Sequence, residues 1–310
     1  MPPCDRRGCD LAALFAKRRY GAAVSEDAAT VVTKDGISLA AWSTGRGVPL
    51  LLVHEFTGDA RSWAPQTGFF GRHYRVLTYN ARGYPPSGVP DNEGSYSQRL
   101  AAEDVGAVLD ALGAESAHVV GLSMGAFAAL HFALAHRDRI RSLTLAGCGY
   151  GAKPEQTEPY RAAMRREAQH VEEIGMRAYA AEAAEAGSSR GLKAKDSGAW
   201  ALFRSQLEEH SATGTALTLS GVLAERPSLW SLEAELRALA LPTLLLIGDE
   251  DAPCIEPNLF LHRVLPNAAL CVLPRVGHLA NLEMPALFNE ILFGFLTAVD
   301  HGRWADWSAR

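Results

Sequence analysis

Two patterns of apolar positions alternate along this chain. Short runs of Val, Leu and Ile are separated by segments in which apolar residues recur about every 3.6 positions, the signature of βαβ units and a mostly parallel sheet. Ala29 to Thr33 and Ile37 to Trp42 flank Lys34-Asp35-Gly36, a hairpin signal, so this first pair is expected to be antiparallel. Pro49 to Val53 is an unbroken apolar run of the kind covered on both faces of a sheet, and Tyr74 to Tyr79 is a second, with room for one helix between them around Ser62 to Phe70. A helix is predicted from about Ser97 to Leu112, with Gly113 as its stop. A strand from Ala117 to Val120 then ends at Gly121, Met124 to His136 reads as helix, and Ile140 to Ala146 as strand.

From about Gly147 to Leu239 the strand signal vanishes, and Ala, Glu and Arg dominate, as in Tyr179-Ala180-Ala181-Glu182-Ala183-Ala184-Glu185. Strands resume at Thr243 to Ile247 and Ala269 to Leu273, and a helix from Pro285 to about Val299 closes the pattern. The expected organisation is a leader over 1–28, a core in two parts over 29–146 and 240–300, a helical insertion over 147–239, and a tail over 301–310. There is no internal repeat.

Composition narrows the function classes. At 310 residues the chain suits two domains or one large domain with an insertion, and 48% apolar with 21% charged residues excludes a disordered chain. A net charge of −5 leaves no basic field for nucleic acid or an anionic membrane. The longest strong apolar stretch, Leu239 to Ile247, is broken by Pro242 and falls far short of the roughly 20 residues of a membrane span. Leu11 to Ala16 is too short for a signal-peptide core, so a cytoplasmic protein is expected. Five cysteines, Cys4, Cys9, Cys148, Cys254 and Cys271, are scattered without a Cys-x-x-Cys pair, which argues against a disulfide framework or a zinc ribbon. His54-Glu55 lacks the second histidine of a zinc protease, because position 58 is Gly58.

Gly121-Leu122-Ser123-Met124-Gly125 sits between a predicted strand and a predicted helix. That context suits a nucleophile elbow, in which two glycines allow a sharp turn that holds the serine hydroxyl above the sheet. A bare Gly-x-Ser-x-Gly is weak evidence, so its setting carries the weight. A serine hydroxyl needs a general base, and His278, in Val276-Gly277-His278 after the last predicted strand, is the histidine that combines a strand end with a glycine-flanked loop. The group that orients this imidazole lies in Gly248-Asp249-Glu250-Asp251: Asp251 is favoured, with Asp249 left to cap the turn. The order Ser, Asp, His is that of the elbow fold.

These motifs, with Val53-His54-Glu55-Phe56, Trp63, Asn80-Ala81-Arg82-Gly83, and Glu283 and Pro285 after His278, resemble the α/β-hydrolase superfamily from about Val31 to Val299. The resemblance implies an α/β fold with a mostly parallel sheet of about eight strands and a helical cap inserted after the sixth. It implies an oxyanion hole from the backbone N–H groups of Met124 and Phe56. Arg82 takes a structural place in a loop where Asn80 replaces the usual acid. The chain departs from the family at Glu55, where glycine is usual. Either this side chain turns away from the pocket and pairs with a cation such as Arg82, or its carboxylate positions water or selects substrate. Cys148 reads as a buried inert thiol beside the site. Tyr160, Met164, Met176, Tyr179, Trp200, Phe203 and Trp230 either line a pocket or hold the cap to the core.

The expected activity is serine-triad hydrolysis of a small carboxylic ester or lactone through an acyl-enzyme, without metal or organic cofactor. A carbon–carbon bond hydrolase of a ring-cleavage dienoate and a non-catalytic ligand-binding protein of the same fold are the alternatives.

Overall fold

The computed structural model describes residues 26–185 and 187–304. The expected leader, with Cys4 and Cys9, lies outside the described residues up to position 25, while its last three positions, 26–28, belong to the first strand; most of the expected tail lies outside as well. Eight strands form one sheet: β1 (Glu26–Val32), β2 (Ser38–Thr44), β3 (Pro49–Val53), β4 (Arg75–Tyr79), β5 (Ala117–Leu122), β6 (Ile140–Ala146), β7 (Thr243–Gly248) and β8 (Ala268–Leu273), in the order β1-β2-β4-β3-β5-β6-β7-β8. Pairing is antiparallel at β1–β2 and β2–β4 and parallel elsewhere. The first hairpin closes where Thr33 N–H donates to the Ile37 carbonyl at 2.9 Å, with Gly36 at φ 84° supplying the left-handed turn.

The unbroken apolar strands are central for the reason their composition gives: each needs cover on both faces. On one face, α2 (Gln98–Ala111), α3 (Met124–Ala135) and α9 (Ala252–Val264) pack through Val105, Phe127, Leu130 and Leu261. On the other, α1 (Ala64–Phe70), α10 (Ala280–Glu283) and α11 (Pro285–Asp300) pack through Phe70, Ala280, Phe288 and Leu292 around the buried Trp63.

Between β6 and β7 the chain leaves the sheet to build α4 (Thr157–Glu185), α5 (Gly187–Lys195), α6 (Ser197–Leu207), α7 (Ala212–Thr218) and α8 (Glu233–Arg237). Within α4, Gly175 at φ 72° and ψ 164° breaks the helical run. The aromatic residues of this insertion divide by neighbourhood. Trp230 stacks on Phe260 at 4.2 Å, and Trp200 and Phe203 join the Trp63 layer, so these three fix the insertion to the core. Tyr160, Met164, Met176 and Tyr179 instead share a cluster with Phe56, Tyr84 and Met124, directly over the elbow. No helix among the described residues is long and apolar enough to cross a membrane.

Candidate active site

Ser123 follows β5 and starts α3, with φ 53° and ψ −113°, a conformation costly for any residue with a Cβ. Both flanking glycines are required by contact. A Cβ on Gly125 would lie 2.2 Å from the Val53 carbonyl oxygen, and one on Gly121 would lie 2.2 Å from that of Gly125. Ser123 N–H donates to the Ala146 carbonyl at 2.8 Å, which ties the elbow to the end of β6.

The next residue, Gly147 at φ 54°, carries the histidine: a Cβ there would lie 3.2 Å from Nδ1 and Cε1 of His278. His278 therefore comes from the loop after β8 to the turn that anchors Ser123. Its Nδ1 lies 2.8 Å from Asp251 Oδ2. A carboxylate only accepts, so Nδ1 carries the proton and Nε2 keeps its lone pair. Asp249 lies elsewhere, its Oδ1 accepting from Val276 N–H at 3.2 Å, and so caps the approach to the His278 loop. The Tyr150 ring packs edge-on against the imidazole, with centroids 4.8 Å apart.

The β3 loop is braced from two sides. Ala81 N–H donates to His54 Nε2 at 3.0 Å, which makes Nδ1 the protonated nitrogen, and Nδ1 lies 2.8 Å from the Glu55 carbonyl. Because a trans peptide points its C=O and N–H in opposite directions, holding the Glu55 carbonyl also aims the Phe56 N–H. Burial lowers the His54 pKa to about 4, so the ring stays neutral in this role. Tyr84 O–H donates to the Phe56 carbonyl at 2.8 Å. Met124 N–H occupies the first turn of α3, where no intrahelical acceptor exists.

Glu55 does not pair with Arg82. The Arg82 guanidinium is held by Asp104 through Nε and Nη2, both at 2.7 Å, and by Asp35 through Nη1 at 2.7 Å. The Glu55 carboxyl folds into its own turn, accepting from Ser62 Oγ at 3.1 Å and filling the space that a Cβ on Gly58 would need. Its φ is not positive, so the residue tolerates a glycine-type position. Burial pushes its pKa up to about 7.

The insertion reaches this loop as well. Glu209 pairs with Arg61 at 2.6 Å, and His210 Nε2 lies 3.4 Å from Asp59 Oδ2. Glu283, between α5 and the His278 loop, accepts from Gly277 N–H at 3.0 Å and from Lys195 at 2.6 Å. Motif reading missed the bracing roles of His54, Tyr84 and Tyr150; the polar character of His54 inside an apolar strand end was the available signal. Cys148 is fully buried, and burial raises its pKa to about 12.

A second Ser–His–Asp chain lies at the opposite end of the sheet. His118 Nδ1 is 2.7 Å from Ser142 Oγ, and its Nε2 is 3.0 Å from Asp300 Oδ1. Ser142 lies within β6, buried, with neither an elbow nor a helix N-terminus beside it. Open α/β sheets bind ligands at the carboxyl ends of their strands, the end that holds Ser123.

Comparison with known proteins agrees with this architecture. The chain is 27% identical over 275 residues to a Bacillus subtilis (strain 168) protein that carries the provisional name 2-succinyl-6-hydroxy-2,4-cyclohexadiene-1-carboxylate synthase, covering 87% of this chain and 98% of that protein. It is 28% identical over 283 residues to 3-oxoadipate enol-lactonase 1 of Acinetobacter baylyi, covering 87% and 97%. A thermophilic esterase from Thermogutta terrifontis superposes with a TM-score of 0.78 at 28% identity, covering 88% of this chain and 99% of that one. A family model described as the alpha/beta hydrolase fold matches residues 48–285, and the chain belongs to that family.

Proposed function

We propose that this protein is a serine-triad hydrolase of a small carboxylic ester or lactone. The reading rests on one arrangement: the strained Ser123 and the His278–Asp251 pair meet at the Ala146–Gly147 turn. Nε2 of His278 takes the Ser123 proton as Oγ attacks the substrate carbonyl carbon. The oxygen that becomes negative lies between the N–H groups of Met124 and Phe56, donors worth about 2.7–4 kcal/mol each in comparable sites. The imidazolium, stabilised by Asp251, then gives its proton to the leaving alkoxide. Water, deprotonated by the same Nε2, releases the acid from the acyl-enzyme.

Substrate class follows from the surroundings of Ser123. Met124, the residue after it, belongs to one apolar and aromatic cluster with Phe56, Tyr160, Met164, Met176 and Tyr179, an environment suited to an uncharged acyl or alcohol part. The enol-lactonase and esterase relatives are consistent with this class. A fluorophosphonate probe followed by peptide mapping tests the nucleophile, and a panel of nitrophenyl esters, lactones and dienoates tests the class. Label on Ser123 with turnover of esters or lactones is the expected result. An unlabelled Ser123 in folded protein that turns over none of the panel sinks the proposal, and turnover of dienoates alone moves it to carbon–carbon bond hydrolysis.

A further inference from the structure

The mechanism above leaves one group beside the His278–Asp251 pair without a task. Asp251 precedes α9, and Cys254 stands in the first turn of that helix, its N–H bonded to the Asp251 carbonyl at 2.9 Å. The thiol is fully buried and donates to the Gly147 carbonyl at 3.3 Å. One ligand atom each from Asp251, Cys254 and His278 all lie within 4.8 Å of one another. The second Asp251 oxygen, Oδ1, is buried and has no hydrogen-bond partner among the described residues, so the carboxylate holds an unused lone-pair site.

We propose that Asp251, Cys254 and His278 form an inhibitory chelation site for a soft divalent cation, Zn2+ or Cd2+. Thiolate, imidazole and carboxylate are the donor set such ions prefer, and a fourth position is left for water. Tetrahedral bond lengths place such donors about 3.3–3.8 Å apart, so the site needs a contraction of about 1 Å at its widest. The proton balance explains the inhibition. The Cys254 thiol proton passes to solvent as the sulfur binds. Nδ1 binds through its lone pair, so its proton moves to Nε2, and Asp251 exchanges the Nδ1 hydrogen bond for the ion. His278 then carries hydrogen on the nitrogen that must accept the Ser123 proton, and the base is lost. The site is distinct in purpose from a catalytic metal: it turns off the reaction assigned to His278, and its inhibitory arm rests on that assignment.

The test uses full-length protein with Cys4→Ser, Cys9→Ser and Cys271→Ser, titrated with Cd2+ for the thiolate-to-cadmium charge-transfer band and with Zn2+ for loss of esterase activity. The expected result is one Cd2+ band per chain and Zn2+ inhibition. Adding Cys254→Ser, which keeps a donor for Gly147, should abolish the band, leave basal activity in place and raise the inhibitory Zn2+ concentration at least about tenfold. Cys254→Ala serves if the serine variant folds poorly. Absence of the band, or equal Zn2+ sensitivity with and without Cys254, overturns the proposal. A band in folded protein that hydrolyses nothing would keep the metal site and sink the hydrolase reading instead.

Discussion

The hydroxyl of Tyr84 donates to the carbonyl oxygen of Phe56 at 2.8 Å, so a buried tyrosine from the β4 loop holds the peptide that follows the proposed oxyanion donor. Tyr84→Phe keeps the packing of the ring against His54 and removes this bond together with the hydroxyl's weaker contact to Met124 Sδ at 3.9 Å. A net hydrogen bond is worth about 0.5–1.5 kcal/mol, so kcat should fall by roughly twofold to twelvefold with KM nearly constant. Steady-state kinetics on one ester checks this; an unchanged kcat removes Tyr84 from the bracing role.

The two acids after β7 are separable. Asp251→Asn should lower kcat by about 10⁴-fold, the cost of the wrong imidazole tautomer in a comparable triad, while the fold survives. Asp249→Asn weakens the cap on Val276 N–H and should reduce thermal stability with kcat within severalfold of the parent. Reversed results would transfer the orienting role to Asp249.

Glu55 makes stability depend on pH. Burial raises its pKa from 4.5 to about 7, so between those values the folded state binds the proton that the unfolded chain has lost, and stability falls as pH rises. The full penalty, roughly 3 kcal/mol, is present above pH 7 and absent below 4.5. Glu55→Gln should be stabilised by about 1–3 kcal/mol at pH 8 and should flatten this slope in denaturant titrations. Because the carboxyl turns into its own loop, kcat/KM should stay close to the parent across several esters; a large loss would revive a direct role with substrate.

The Ser142–His118–Asp300 chain tests whether hydrogen-bond geometry alone makes a catalyst. Ser142→Ala leaves the buried His118 Nδ1 unpaired and should cost about 1–3 kcal/mol of stability, with kcat unchanged and fluorophosphonate labelling intact. Lost labelling in a folded variant would contradict the assignment of the site to Ser123.

Lys195 of α5 meets Glu283 at 2.6 Å, and the Glu283 side chain is fully enclosed. Lys195→Met leaves a buried carboxylate without its cation and should destabilise by up to about 3 kcal/mol. Adding Glu283→Gln should recover part of that loss, and strict additivity in the double-mutant cycle would show that the pair does not couple the insertion to the His278 loop.

The sequence by itself determined the sheet, because unbroken apolar strands such as Pro49–Val53 must be buried on both faces and helices of the observed period must cover them. It also located the elbow: Gly-x-Ser-x-Gly between a strand and a helix leaves little choice of conformation for Ser123, and the observed bounds differ from the expected ones by a few residues at most. Only the tertiary structure decided the partners. Asp249 and Asp251 are two residues apart in one turn, and which faces His278 depends on how the loop after β8, 27 residues further on, returns to Gly147. The sequence leaves Glu55 either paired with a cation such as Arg82 or facing substrate; folding delivers Asp104 and Asp35 to that arginine, whose donors the two carboxylates occupy. Local periodicity encodes burial, which each residue carries with it, whereas a hydrogen-bonded pair is settled by the long-range geometry that brings distant loops to one edge of the sheet.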